Sequence, residues 1–290
     1  MANMAFKGTV CSIMAFAIGA CFGSFANVCI YRLPRRMSIL NPPSHCTFCG
    51  ATLRWFDLIP ILSIILLLGK CRYCKYPIGY RHFFVELACA LLFLASYWRY
   101  GISFDGVMVA LTLVFLVVAF CVDCEWYLIP DEVPLAIGVI GIVRVIAKIF
   151  TVAEVDMLSR SILGMLATIA MFVAIRKFGT ALFGKEAMGL GDVKLSAALG
   201  LHIGFSWLLL GYLLIAIFTG AIVGVVILLL GRKRPHHYIP FGPFLAIAAT
   251  LCLLFPEEVS QLLQRIYSLQ PLYLWLTNCS ALAYLIQVAQ

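Results

Sequence analysis

Trp207-Leu-Leu-Leu-Gly-Tyr-Leu-Leu-Ile-Ala-Ile-Phe-Thr-Gly-Ala-Ile-Val-Gly-Val-Val-Ile-Leu-Leu-Leu230 contains no charged side chain. A helix rises 1.5 Å per residue, so about 20 apolar residues cross the ~30 Å hydrocarbon core of a bilayer. This stretch is long enough, and residues 10–30, 83–98, 107–122, 133–150, 158–175, 193–205 and 239–255 are also apolar. Residues 193–205 are the shortest run, and a half-helix or re-entrant segment is the alternative there. The whole chain fits this reading. It is 63% hydrophobic and 12% charged, with a mean hydropathy of +1.04, whereas a soluble domain carries roughly 25% charged residues. The expected fold is an all-α polytopic membrane protein with about eight transmembrane helices. No small-residue cleavage site closes residues 10–30, so that run reads as a permanent helix rather than a signal peptide.

The net charge of +8 would suit nucleic acid or anionic lipid, and its distribution favours lipid and topology. With the N-terminus outside, the cytoplasmic loops hold eight basic residues after the first helix (Arg32, Arg35, Arg36, Arg54, Lys70, Arg72, Lys75, Arg81). Four follow near the fifth (Arg176, Lys177, Lys185, Lys194) and three after the seventh (Arg232, Lys233, Arg234). Those fifteen of 21 leave only Lys7, Arg99, Arg144, Lys148, Arg160 and Arg265 outside, the asymmetry of the positive-inside rule. Gly19 with Gly23, and Gly220 with Gly224, have the small-xxx-small spacing of close helix packing. The expected divisions are a first helix (1–31), a cytoplasmic loop (32–82), a transmembrane unit (83–256) and a C-terminal extension (257–290). The extension is read as an interfacial helix or a further span over 272–288.

The loop carries Cys46-Thr-Phe-Cys49 and Cys71-Arg-Tyr-Cys74. Two such pairs offer four thiolates to a tetrahedral Zn²⁺, and cytoplasmic exposure argues against disulfides. Structural zinc is the expectation, with a redox pair or another metal as alternatives. With four ligands supplied, no position stays open for a catalytic water. His45 is either a substitute ligand or a loop histidine bonded to local backbone. Cys121 and Cys124 form a third C-x-x-C without a second pair nearby and read as packing.

Two aspartates stand at the ends of apolar runs: Asp123 in Phe120-Cys-Val-Asp-Cys-Glu-Trp-Tyr-Leu-Ile-Pro-Asp131, and Asp192 in Gly189-Leu-Gly-Asp-Val-Lys194. An ionisable group beside hydrocarbon costs several kcal/mol unless something uses it. Two carboxylates can share a proton and activate a water between them. With the helix count above, both fall on the cytoplasmic side, which permits a pair. Gly189 and Gly191 leave room for an extended substrate beside Asp192. The alternatives are that Asp192 is an N-cap, and that Asp123, Glu125, Asp131 and Glu132 form a solvated acidic loop. Lys194 could pair with one of these acids or with lipid phosphate. A proton-coupled transporter would use the same acids as relays, although no repeated halves are visible.

Together these segments resemble the type IV prepilin peptidases, membrane aspartic proteases of the Gly-x-Gly-Asp type. The resemblance is carried in order by Gly23-Ser-Phe-Ala-Asn-Val-Cys-Ile-Tyr-Arg-Leu-Pro34, Pro42-Pro-Ser-His-Cys46, the two cysteine pairs, Arg81 and Val85-Glu-Leu87. The aspartate segment through Leu128-Ile-Pro-Asp131, then Gly189-Leu-Gly-Asp-Val-Lys-Leu195 and Ile239-Pro-Phe-Gly-Pro243 complete it. Ala26 and Cys124-Glu-Trp-Tyr127 depart from the usual pattern without removing a catalytic atom. The resemblance implies that Asp123 and Asp192 are the catalytic pair and Asp131 is not. It implies that prepilins or pseudopilins are cleaved after a glycine, at the cytoplasmic face of a bacterial inner membrane. The intact cysteine loop implies N-methylation of the new terminus with S-adenosylmethionine. Glu86 and the loop's basic residues are candidates for that second site.

Overall fold

A computed structural model of the chain describes residues 2–152, 156–184, 186, 188–230 and 239–268. Among these residues ten α-helices follow one another: α1 (Ala2–Arg32), α2 (Leu62–Leu66), α3 (Arg81–Tyr100), α4 (Phe104–Trp126), α5 (Glu132–Val152), α6 (Asp156–Phe183), α7 (Leu190–Ile203), α8 (Trp207–Leu229), α9 (Gly242–Leu254) and α10 (Pro256–Ser268). Each of the eight apolar runs falls on one of them. Among the described residues, six helices are long and apolar enough to cross a membrane, or up to seven if α9 and α10, which meet at 99°, count as one bent span. The difference from eight lies mainly in α7. Its 14 residues rise about 21 Å, short of the ~30 Å hydrocarbon core, as the length of that run anticipated.

A helix that ends inside a bilayer leaves carbonyls that water cannot reach, so protein must satisfy them. At the C-terminal end of α7, Arg144 of α5 donates from Nη1 to the His202 carbonyl at 3.3 Å. The same guanidinium forms two bonds to Asp105 of α4, at 2.6 and 3.1 Å, and Lys148 adds an ion pair at 3.3 Å. His202 donates from Nε2 to the Ile137 carbonyl at 2.9 Å. Arg144, read from the sequence only as an external loop charge, is therefore a buried strut joining three helices.

Glycines set the tightest crossings. A Cβ on Gly19 would lie 2.6 Å from Phe93 Cβ, and one on Gly23 would lie 2.6 Å from Glu86 Cα, so α1 and α3 meet almost backbone to backbone. Gly164 of α6 and Gly200 of α7 do the same, with a Gly164 Cβ only 2.5 Å from the Gly200 carbonyl oxygen. Gly220 and Gly224 face looser contacts, 3.3 Å and beyond, so their spacing does not mark a close crossing. At the end of the bundle away from the cysteine loop, α10 is pinned by Arg99 to Glu257 and Glu258 at 3.2 and 3.5 Å, and Val259 and Leu263 pack over Gly211. Its description ends at Ser268. The segment 272–288 and the basic residues Lys185, Arg232, Lys233 and Arg234 lie outside the described residues.

Candidate active site and metal centre

Helix α4 runs toward the cysteine loop and delivers Asp123 one turn before its end, where Tyr127 closes it in the left-handed region (φ 56°) with its N–H on the Asp123 carbonyl. That end is clamped from two sides. Arg81 Nη1 donates to both carboxylate oxygens of Glu125 at 2.8 Å. Arg35 stacks its guanidinium over Tyr31 at 4.1 Å and Trp126 at 4.7 Å. The acids around Asp123 are thus not an unpartnered solvated patch: Glu125 has Arg81, and Asp131 has Lys194 at 2.7 Å. The sequence offered Lys194 as a partner for one of these acids without choosing which, and gave no sign of Arg81, because both cations arrive from other helices.

Helix α7 begins at the same end. Gly189 is its N-cap, so Asp192 sits in the first turn rather than capping it. Asp192 lies within electrostatic reach of Asp123, and its Oδ1 is buried with no hydrogen-bond partner among the described residues. A buried, unpaired carboxylate oxygen is costly in a low-dielectric interior, the kind of defect found where a substrate or water is meant to arrive. Gly191 does not leave the space expected for a substrate. A Cβ there would meet Ile129 Cβ at 3.0 Å and the Ile129 carbonyl oxygen at 3.3 Å. Its small size instead lets α7 press against the 127–131 connection, which brings the two aspartates together.

A third element completes the site. The backbone N–H of Gly242, at the start of α9, donates to Asp123 Oδ2 at 2.8 Å. A Cβ on Gly242 would stand 2.6 Å from that same oxygen and 3.1 Å from Ile129 Cδ1. The Ile239-Pro-Phe-Gly-Pro243 segment had no assigned role in the sequence; its glycine turns out to admit the carboxylate and supply its donor. The helix N-terminus behind it favours negative charge at that point.

The cysteine loop is built from two equivalent turns. Cys46 N–H bonds the Ala51 carbonyl and Gly50 N–H the Cys46 carbonyl, at 2.9 Å each. Cys71 bonds Tyr76 and Lys75 bonds Cys71 in the same pattern, at 2.8 and 3.0 Å. Gly50 and Lys75 hold matching left-handed positions, φ 72° and 59°, and Phe48 and Tyr76 stack at 4.2 Å across the pair. The four sulfurs lie within 4.8 Å of one another, and Cys46 Sγ is 3.8 Å from Cys74 Sγ. That spacing matches the ~3.8 Å edge of a tetrahedron with Zn–S bonds of about 2.3 Å. The Cys46 thiol is pulled down to about 6, first by the Cys49 N–H. Cys74, despite the Tyr76 N–H, is pushed up to about 12 by burial and its three sulfur neighbours. Thiolates crowded in this way repel one another, and a cation relieves that repulsion, so the cluster could hold a metal ion. His45 is bonded to the Pro43 carbonyl at 2.9 Å.

Glu86 of α3 is buried and accepts the Ile61 N–H at 2.7 Å, with Ser24 on its other flank. It joins the loop to the bundle.

Two family models match in series. One, described as the bacterial peptidase A24 N-terminal domain, covers residues 17–100; the other, the type IV leader peptidase family, covers residues 110–225. Among curated relatives, a prepilin leader peptidase/N-methyltransferase of Myxococcus xanthus (strain DK1622) is 37% identical over 232 residues, covering 79% of this chain and 67% of the relative. The protein of that name from Pseudomonas aeruginosa is 33% identical over 276 residues, 87% of this chain and 92% of the relative. That of Bacillus subtilis (strain 168) is 30% identical over 244 residues, 84% and 94%. No solved structure matches the chain. Matched from near its first helix to α8 and by relatives over most of their own length, this multi-pass membrane protein belongs to the type IV leader peptidase family.

Proposed function

We propose that the chain removes the leader from prepilins or pseudopilins with Asp123 and Asp192 as its catalytic pair, and N-methylates the residue thus exposed. The observation that carries the first half is the convergence of the two carboxylates at the loop-side end of the bundle, with Asp192 Oδ1 left unpartnered. One aspartate is ionised and takes a proton from a water held between the two. The water oxygen attacks the scissile carbonyl carbon as the other aspartate donates its proton to the carbonyl oxygen. Collapse of the tetrahedral intermediate returns that proton, and the leaving amine takes up the one first removed. Acid–base work of this kind contributes roughly 10²–10⁴ in rate. Gly242 keeps Asp123 in place throughout.

The transmembrane unit of residues 83–256 performs the cleavage. The loop of residues 32–82 carries Cys46, Cys49, Cys71 and Cys74, which hold a structural Zn²⁺. The methyl group comes from S-adenosylmethionine. Glu86 does not fit as a contact for that donor, because its carboxylate is engaged by Ile61 and Ser24, and no step is assigned to the donor's geometry. Both sites face the cytoplasm of a bacterial inner membrane, in keeping with the distribution of basic residues.

Mass spectrometry of a co-expressed prepilin tests both activities, reading leader loss and one added methyl group. Asp123→Asn and Asp192→Asn should each abolish leader loss while a pre-cleaved pilin is still methylated. Wild-type processing by Asp123→Asn would overturn the assignment.

A further inference from the structure

The loop of residues 32–82 is the most polar part of the sequence, yet residues 58–69 inside it carry no charge: Leu58-Ile-Pro-Ile-Leu-Ser-Ile-Ile-Leu-Leu-Leu-Gly69. A run of that length cannot span a bilayer and suits a re-entrant or interfacial segment. Its apolar side chains are not folded inward. Leu62, Ile65, Leu66 and Leu68 are 49, 54, 71 and 82% exposed, a contiguous apolar face that water would penalise.

The segment is also not held where a surface loop would be. Pro60 and Leu58 face Cys21, Phe25 and Val28 of α1 across a cavity of about 260 Å³. Cys21 lies eleven residues before the end of α1, about 16 Å along the helix. Phe25 and Cys21 continue the outward-facing stripe of Met14 and Ile18, the surface α1 presents to lipid. Ile61 bonds Glu86, five residues inside α3, or about 8 Å along its axis. The backbone supplies its own partners: Leu62, Ser63, Ile65, Leu67, Leu68, Gly69 and Lys70 all donate to carbonyls between Ile59 and Leu67. Non-helical backbone survives at membrane depth only when protein satisfies its polar groups. The buried carboxylate of Glu86 takes the Ile61 N–H that α2 does not satisfy.

We infer that residues 58–68 dip into the bilayer leaflet beside α1 and α3 and present Leu62, Ile65, Leu66 and Leu68 to lipid acyl chains. Arg72 is held by Asp57 at 2.6 Å beside the run, and Arg54, Lys70 and Lys75 flank it at the level of anionic headgroups. Cys71 follows directly, so the dip holds the cysteine cluster against the membrane. If the functional reading above is right, that is where a pilin whose helix stays in the bilayer presents its new N-terminus.

The test needs no catalysis, so its failure is distinct from failure of the peptidase reading. A keto-amino-acid spin label is placed in turn at Leu66, at Leu68, at Leu166 (on the outward face of α6) and at Leu40 (85% exposed in the loop). Each protein is reconstituted with zinc in phosphatidylethanolamine/phosphatidylglycerol nanodiscs. The ratio of collisions with oxygen to those with a water-soluble nickel chelate should be several-fold higher at 66 and 68 than at 40, and close to that at 166. A ratio equal to that at 40 overturns the inference. So does a water-like ratio that changes only when prepilin is added, which would assign the face to the substrate's helix.

Discussion

Replacing Gly242 with alanine tests the site at its least forgiving point. The new Cβ would sit 2.6 Å from Asp123 Oδ2 and 3.1 Å from both Asp123 Cγ and Ile129 Cδ1. Ordinary van der Waals contact begins near 3.4 Å, so the carboxylate or the start of α9 must retreat by about 0.8 Å. Ile129 is itself wedged against Gly191, which blocks the easiest relaxation and passes part of the shift to Asp192. The 2.8 Å bond from the Gly242 N–H is stretched or lost. Hydrogen bonds to charged groups contribute about 1.5–3 kcal/mol, and a 1 Å misplacement costs on the order of 10²-fold. Gly242→Ala should therefore lower kcat about 10- to 100-fold, with KM little changed because the displacement is confined to Asp123 and its neighbours. The assay is steady-state cleavage of a synthetic prepilin by purified enzyme in nanodiscs. Gly224→Ala is the control: its Cβ would find only Ile239 Cδ1, at 3.8 Å, and its kcat should match wild type. A folded Gly242→Ala enzyme within twofold of wild-type kcat would refute the role given to this backbone donor.

The two cysteine turns make a matched pair of backbone tests. Lys75→Gly relieves a left-handed residue (φ 59°) and should raise the thermal stability of the loop by about 1 kcal/mol. Gly50→Ala, with open space around it but φ 72°, should lower it by a similar amount. Stripping zinc with a strong chelator, or Cys71→Ser, should abolish methylation and loosen residues 44–78 in hydrogen exchange while cleavage persists; loss of both activities together would show that the loop also supports the peptidase. At the far end, Arg144→Met alone leaves Asp105 with only Lys148 in a mostly buried setting and should cost about 3 kcal/mol. An Asp105→Leu/Arg144→Met double variant should recover much of that in thermal unfolding.

The fold was largely legible because hydrocarbon imposes a strict length rule. All eight apolar runs became helices, and the shortest became α7, which like α9 falls short of crossing alone. The cysteine pairs were equally legible, since a C-x-x-C turn is a local object whose geometry follows from four residues. What escaped were pairings between distant elements. Arg144 read as a loop charge until α4 and α7 closed around it. Lys194 was open between these acids and lipid phosphate until α7 set it on Asp131, and Glu125 had no visible partner until Arg81 came in from α3. Gly191 suggested room for substrate, whereas its open side is filled by Ile129. The uncharged run at residues 58–69 was hidden by the basic and cysteine-rich residues on both sides.

By itself, the order of residues determined that this chain lives in a membrane and that residues 46–74 can gather four sulfurs, and it permitted Asp123 and Asp192 on one face. Each of those depends on local composition, local turns or the parity of crossings. Only the tertiary structure decided that the two carboxylates come within electrostatic reach of each other, because that requires α4, α7 and α9 to pack closely. Glycines at 191 and 242 allow this by what they lack, and the space a missing Cβ opens has no meaning until the neighbour that fills it is known.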